Sequence, residues 1–446
     1  MTSDLIDRTP PQLSAGVVIP WHNADGPVSA DRIRETAGLV EALGCNLAFV
    51  RAERIRKVSP AQLLSGGILD RFGEDLEETG CSLAVVDGAL TPVQQRNLET
   101  RLGLKVIDRT GLILEIFGLR ARTKEGQLQV ELARVLYERS RLVRTWTHLE
   151  RQRGGRGFLA GPGETQIESD RRMLDGTQKK LRSDLAEVRR TRGLQRKGRK
   201  RSGTRTVALV GYTNSGKSTL FNRLTGADVF AQDMPFATLD PTVRNMQLPA
   251  LGDTALIDTV GFITDLPTHL VESFQATLEE AMEADLLVHV RDLSTDADRD
   301  QKRDVLTVLE QLEANTDSEL PPMIEVWNKA DRLDPERRAM LSAAAHDADV
   351  PPAVLVSSIK GDGIDELTVL IEDSLMRLSV PLSVHLGPAD GQARAWLHAQ
   401  ADVIEERSLE DGSIDLVVRL SADRLGRFQS MFSEVDLQVS RDAEAT

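Results

Sequence analysis

Residues Gly211-Tyr212-Thr213-Asn214-Ser215-Gly216-Lys217-Ser218-Thr219 spell a Gly-x-x-x-x-Gly-Lys-Ser loop. The apolar β-rich run Val207–Val210 enters it, and a helical pattern (Leu220, Phe221, Leu224) leaves it, the setting a phosphate-binding loop requires. The two glycines let backbone N–H groups wrap a phosphate chain without Cβ interference. Lys217 can reach the β- and γ-phosphates, and the Ser218 hydroxyl suits Mg²⁺. The following helix adds its positive dipole end.

Downstream motifs narrow the nucleotide. Asp258-Thr259-Val260-Gly261 follows the apolar run Thr254–Ile257, which places Asp258 to act on Mg²⁺ through water and the Gly261 N–H near the γ-phosphate. Asn328-Lys329-Ala330-Asp331 follows Met323–Trp327. The Asp331 carboxylate can accept from guanine N1–H and its exocyclic amine, which adenine cannot supply, while Asn328 and Lys329 brace the loop and cover the ring. Ser357-Ser358-Ile359 ends a further strand and offers backbone N–H groups to the base. Between the first two motifs, Pro235-Phe236-Ala237-Thr238-Leu239-Asp240-Pro241-Thr242 reads as a switch loop, with Phe236, Ala237, Thr238, Leu239 and Asp240 expected around the nucleotide. A threonine there can give its hydroxyl to Mg²⁺ and its N–H to the γ-phosphate; Thr238 and Thr242 are both candidates. The position after Gly261, where a water-orienting glutamine is expected, is Phe262, so slow unassisted hydrolysis is predicted.

These motifs need a parallel sheet behind them, and 446 residues exceed one core. The expected fold is multidomain α/β. Residues 1–14 read as disordered, 15–124 as a small α/β domain, and 125–203 as a helical hairpin with a glycine-rich tip and a basic linker. Residues 204–378 read as a Ras-like G domain with a mostly parallel sheet, 379–440 as a small α+β domain of βαββα type, and 441–446 as a tail. In the first domain, strands at Ala15–Ile19, Asn46–Arg51, Ser82–Asp87 and Lys105–Asp108 alternate with helices at Ala30–Leu43, Pro60–Glu78 and Thr91–Leu102. Asp108-Arg109-Thr110 reads there as a strand-end turn, and the domain shows no catalytic constellation. Cys45 and Cys81 read as buried free thiols, His289 and His385 as packed core histidines, and Trp396 as core. No apolar run is long enough to span a membrane, no secretory leader is read at the start, and a reducing cytoplasm is expected.

Two seams repeat every 3.5 residues: Leu128, Leu132, Val135, Arg139, Leu142, Trp146 and Leu149, then Ile167, Arg171, Leu174, Gln178, Leu181, Leu185 and Val188. They predict an antiparallel coiled-coil hairpin. Its tip, residues 153–165, holds Arg153, Arg156 and Phe158 among glycines. It reads either as a flexible connector or as an RNA contact, with arginines for phosphate and Phe158 for base stacking. The net charge of −14 argues against polyanion partners, yet residues 171–205 carry fourteen basic and three acidic side chains. That excess of eleven is either a solvated helix face or a polyanion-binding surface.

The motif order is that of a translation-factor-like GTPase. The chain also resembles the HflX family of ribosome-associated GTPases through GYTNSGKS, FATLDPT, DTVGF, NKAD, DRTGLILEIFGLRARTKEGQLQVELARVLY and GPGETQIESDRR. The resemblance implies GTP/GDP and Mg²⁺ as ligands, with Ser218 and Thr238 on the metal, and Asn214 resembles the loop asparagine of GTPases stimulated by K⁺. It implies binding to the large ribosomal subunit with the hairpin tip towards the peptidyl-transferase region, and the splitting or rescue of ribosomes stalled in stress such as heat. A monomer is expected. Rival readings are a GTPase of large-subunit rRNA maturation and a GTP-gated RNA- or ribosome-binding module with incidental hydrolysis. Two departures stand out: Ser65-Gly66-Gly67-Ile68-Leu69 replaces a G-K-G-K-like turn tied to ATP binding or RNA unwinding, and Leu159-Ala160-Gly161 lacks the arginine common before G-P-G-E.

Overall fold

The computed structural model describes residues 13–22, 26–152, 162–201, 204–227, 234–249, 251–264, 281–315, 319–345, 351–378, 381–409, 411–420, 422–432, 434–435 and 437–439. Arg153, Arg156 and Phe158 lie outside them.

The first sheet is wholly parallel, in order β2-β1-β3-β4. Its strands are β1 (Ser14–His22), β2 (Asn46–Ile55), β3 (Leu83–Val86) and β4 (Lys105–Asp108), joined by α1 (Ala30–Ala42), α2 (Gly66–Glu78) and α3 (Pro92–Leu102). Local chemistry explains the boundaries. Ser29 caps α1, and Thr91 with Gln94 forms a capping box on α3, whose first residue is Pro92. Gly103, at φ 66°, ends that helix. β1 and β2 run longer than their apolar cores because they stay paired out to His22 and Ile55. The α2 helix begins at Gly66 rather than Pro60. Ser59 and Leu63 exchange backbone hydrogen bonds of 3.1 and 2.9 Å, and that turn takes up the intervening residues.

Helix α4 (Arg109–Arg120) starts directly at the end of β4, capped by the Asp108 carboxylate, which accepts from Gly111 N at 2.8 Å. The hairpin follows as α5 (Lys124–Gln152) and α6 (Pro162–Arg201). Leu132, Val135 and Leu136 of α5 pack against Leu181 and Leu185 of α6, with Leu128 and Leu174 alongside, much as the 3.5-residue repeat requires. Gly176 does not interrupt α6.

The second sheet has order β10-β9-β8-β5-β7-β6. Its strands are β5 (Thr206–Val210), β6 (Thr242–Leu248), β7 (Gly252–Asp258), β8 (Leu286–Asp292), β9 (Met323–Asn328) and β10 (Ala353–Leu355), and only β6 runs antiparallel. Helices α7 (Lys217–Thr225), α8 (Asp298–Asn315), α9 (Pro335–Ala344) and α10 (Ile364–Arg377) accompany it. The last sheet is antiparallel, from β11 (Leu382–Leu386), β12 (Asp402–Ser408), β13 (Ile414–Arg419) and β14 (Leu437–Val439), with α11 (Gly391–Gln400) and α12 (Ala422–Met431). β14 pairs with β11, so the unit is βαββαβ rather than βαββα. Trp396 packs on Phe428 in its core, with ring centroids 5.4 Å apart. Both cysteines are buried and free. Among the described residues no helix is long and apolar enough to cross a membrane.

The two histidines part company. His385 is exposed, because strand alternation turns Val384 and Leu386 of β11 inward and His385 outward, where Nδ1 lies 2.7 Å from Asp415 Oδ1. That partner raises its pKa. His289, by contrast, is sealed at the centre of β8, and burial pushes its pKa down to about 4. The unfolded chain therefore takes up a proton at this residue near pH 6.5, before the folded chain does, and stability falls as pH drops from there to about 4. The loss from this residue should approach about 3 kcal/mol. Urea unfolding followed between pH 7 and pH 4 should show His289→Gln, which takes up no proton, with a flatter slope than the unaltered chain.

Candidate active site

The site forms at the carboxyl ends of the parallel strands, where β5, β7 and β9 each hand over to a motif loop. It encloses a cavity of about 330 Å³, lined among others by Thr213, Asn214, Gly216, Lys217, Ser218, Thr219, Phe236, Ala237, Thr238, Thr259, Gly261, Asn328, Lys329, Asp331, Ser358 and Ile359. Met234 and Arg332 also line it, and no motif in the sequence marks them. The remaining expected residues stand behind or beside the wall.

Two glycines are forced by crowding as well as by torsion. Gly211 has φ 150°, and a Cβ there would collide with the Val290 carbonyl of β8. Gly216, at φ 97°, faces the Asn328 amide just as tightly. Asn328 ties the loops together: its Nδ2 donates to Ser215 O at 2.8 Å, while its Oδ1 accepts from Ser358 N at 3.1 Å and Ser358 Oγ at 2.9 Å. Lys329 holds Asp292 at 2.8 Å, and Ser357 Oγ donates to Asp331 Oδ1 at 2.6 Å. That last bond lowers the Asp331 pKa, keeping it an acceptor. Ala330 is buried, and its N–H donates to Val356 O at 3.1 Å.

At the other end of the cavity, Ser218 Oγ lies 2.7 Å from Thr238 Oγ1, and both donate to Asp258 Oδ2, at 2.7 and 2.9 Å. Asp258 Oδ1 is buried and has no hydrogen-bond partner. Hydroxyl and carboxylate oxygens converging around an unpaired buried oxygen suit a small, hard cation such as Mg²⁺. Thr242 instead begins β6, paired opposite Asp258. Lys217 Nζ donates to Gly211 O at 3.0 Å and Tyr212 O at 2.8 Å. Burial pushes its pKa down to about 8, with Asp258 pulling the other way, and burial pushes Asp258 up. Thr259 donates to Leu209 O at 2.6 Å, bracing the turn in which Val260 is buried. Phe262 is buried and stitched to the loop: its N donates to Gly211 O at 3.1 Å, and its O accepts from Thr213 N at 2.7 Å.

Leu239 and Asp240 depart from the expected arrangement around the nucleotide. Leu239 joins the buried core shared with α4 and α5, and the Asp240 carboxylate accepts from Arg122 and Thr123. The first domain also contributes what its sequence did not advertise. Arg109, expected in a simple turn, is buried at the joint, donating to Asp87 Oδ1 at 2.8 Å, to Glu35, and to Thr264 O at 3.0 Å. Glu35 in turn accepts from the Tyr212 hydroxyl, which accepts from Thr264 N at 2.7 Å.

The chain that forms this cavity has counterparts among known proteins. Family models match almost end to end: "GTP-binding GTPase N-terminal" over residues 30–118, "GTP-binding GTPase Middle Region" over 120–199, "50S ribosome-binding GTPase" over 206–329 and "HflX C-terminal domain" over 340–436. The GTPase HflX of Magnetococcus marinus is 48% identical over 91% of this chain and 91% of its own length. The chain belongs to the HflX family of GTPases. The GTPase HflX of Escherichia coli is 42% identical, over 87% of this chain and 89% of its own. A solved GTP-binding protein from Sulfolobus solfataricus, in complex with GDP, is 23% identical over 82% of this chain and 100% of its own, with a TM-score of 0.45. As an HflX-family member this chain is a P-loop enzyme that binds GTP and GDP and hydrolyses GTP.

The buried ammonium has a measurable consequence. Phosphate favours the charged form of Lys217, which in the nucleotide-free protein begins to lose its proton near pH 8. Calorimetry in buffers of different ionisation enthalpy should therefore show GDP binding taking up a proton at pH 9, and little uptake at pH 7.

Proposed function

We propose that this GTPase binds the large ribosomal subunit in its GTP state, splits or rescues stalled ribosomes, and lets go after hydrolysis. The observation that carries the reading is the cationic ridge on α6. Arg171, Arg172, Lys179, Lys180, Arg182 and Arg190 are exposed on one continuous 40-residue helix in a chain of net charge −14. At about 1.5 Å per residue that helix is roughly 60 Å long, enough to carry a row of phosphate contacts away from the acidic body. The family model described as "50S ribosome-binding GTPase" supports the same partner. A cytoplasmic setting follows from that partner.

Within the site, Lys217 and the loop amides neutralise the phosphates, and the Thr213 and Gly261 backbone closes over them. Ser218 and Thr238 would hold Mg²⁺ directly and Asp258 through water. The metal would spread the charge that builds on the γ-phosphate and leaving oxygens. Thr238 reaches that place only while its loop is folded in, so the triphosphate orders the loop and its loss releases it. Asn214, at φ 59° on the cavity rim, is where K⁺ stimulation would act. Phe262 supplies no polar group to orient water, so the ribosome completes that task and unassisted turnover is slow.

Base selection rests on Asp331. Replacing it with Asn puts a donor against guanine N1–H and should weaken GDP binding by at least about a hundredfold, the worth of two charge-assisted hydrogen bonds, read by titration with a fluorescent GDP analogue.

The ribosomal reading is tested by GTP turnover with and without mature large subunits in K⁺ buffer. Strong stimulation is expected for the unaltered chain. It should be largely lost in Lys179→Glu/Lys180→Glu/Arg182→Glu, with a shallower salt dependence, and in Arg153→Ala/Arg156→Ala/Phe158→Ala. Stimulation by precursor particles alone would favour a maturation factor, and none by either would overturn the reading.

A further inference from the structure

We propose that Asp240 and Thr123 form a latch that joins the loop carrying Thr238 to the base of the hairpin, and so positions Thr238 for GTP. The inference rests on the reading of Thr238 given above and extends it to residues outside the cavity.

The geometry is that of a helix cap supplied from another domain. Asp240 Oδ2 accepts from Arg122 N and Thr123 N, each at 2.9 Å, and Oδ1 accepts from Thr123 Oγ1 at 2.5 Å. Thr123 Oγ1 itself accepts from Gly126 N at 3.0 Å, capping the first turn of α5. A carboxylate on these unpaired amides meets the positive end of the hairpin helix. The approach is close enough that a Cβ at Gly126 would strike the Asp240 carboxylate.

Two further contacts pin the same short loop to the first domain. Phe236, at φ 56° and buried, sets its ring edge-on to Phe117 of α4 with centroids 4.6 Å apart. Leu239 enters the apolar core that includes Val130 and Ala133 of α5. Thr238, between these anchors, is therefore held from both sides: its hydroxyl reaches Ser218 and Asp258, while Asp240, two residues on, reaches the hairpin.

Energetic linkage makes the arrangement reciprocal. A triphosphate that fixes Thr238 also fixes Asp240 on the hairpin base, and a partner that holds the hairpin stabilises the Thr238 position. Asp240 and Thr123 are positioning residues in this scheme, since neither lines the nucleotide cavity. GDP, which offers no γ-phosphate to the loop, should be indifferent to the latch.

The test compares affinities of the full chain for GDP and for a β,γ-imido GTP analogue with Mg²⁺. Asp240→Ala should weaken analogue binding about tenfold, in the usual range of coupling between sites, Thr123→Ala, which leaves the two backbone N–H bonds in place, should weaken it by less, and both should leave GDP within about twofold. Their combination should be no worse than Asp240→Ala alone, and Thr123→Ser, which keeps the hydroxyl, should behave as the unaltered chain. Equal weakening of both nucleotides, additive losses in the double variant, or no rescue by serine would overturn the latch. Thr238→Ala run alongside separates the two levels. If it discriminates against the analogue and the latch variants do not, the latch alone falls; if it does not, the reading of Thr238 falls with it.

Discussion

A buried ammonium without a carboxylate contact is the constraint around which the nucleotide domain is arranged. Lys217 is buried and its Nζ donates to the carbonyls of Gly211 and Tyr212. Burying a charge in this way is costly unless something negative meets it, and the cavity mouth beside it is where a phosphate chain supplies that charge. The demand propagates outward. Gly211 must lie flat against Val290, Gly216 must clear Asn328, and β5 must sit centrally between β7 and β8 to aim the loop. Asn328 then links phosphate loop to base loop, so both ends of a nucleotide meet one rigid frame.

A second set of buried charges joins that frame to the first domain. Arg109 is paired with Asp87, which also accepts from Arg32 and Thr36. Burial alone would raise the Asp87 pKa, but Arg109 and Arg32 outweigh it and hold it ionised. Glu35 carries the network on to Tyr212, whose hydroxyl is pushed up by burial and by Glu35 and so stays protonated and able to donate. The endpoint is Thr264, three residues beyond Gly261. The loop around Thr238 and the loop leaving Gly261 thus both have their far sides in contact with the first domain. Coupling of this kind needs a contiguous physical path, and paired buried charges with a shared apolar core provide one.

The tall α6 helix and the compact G domain answer opposite electrostatic needs. An acidic body discourages indiscriminate binding to nucleic acid, while the exposed lysines and arginines of α6 concentrate attraction on one ridge. The cationic ridge and the nucleotide-site motifs therefore lie on separate elements. The base of α5, against which the Thr238 loop rests, lies between them.

Features whose physics is local can be read from the order of residues alone. Glycines, Lys217 and Ser218 at fixed spacing carry the pattern of a phosphate loop, Asn328 and Asp331 the pattern of a guanine-reading loop, and a 3.5-residue repeat the hairpin, because each pattern acts within a few turns of chain. The start of α3 is legible for the same reason, from the Thr91 cap and Pro92. Which domain covers which loop emerges only when the chain is folded. Asp240 carried the expectation of a nucleotide contact, yet its partner lies 117 residues away. Arg109 looked like a turn residue, yet reaches Thr264 across 155 residues. His385 and His289 stand in similar apolar runs, yet alternation along β11 turns His385 to water, while β8, buried at every position from Leu286 to Val290, encloses His289. Such outcomes depend on long-range packing and on which buried charges find partners, and no local pattern of residues encodes either.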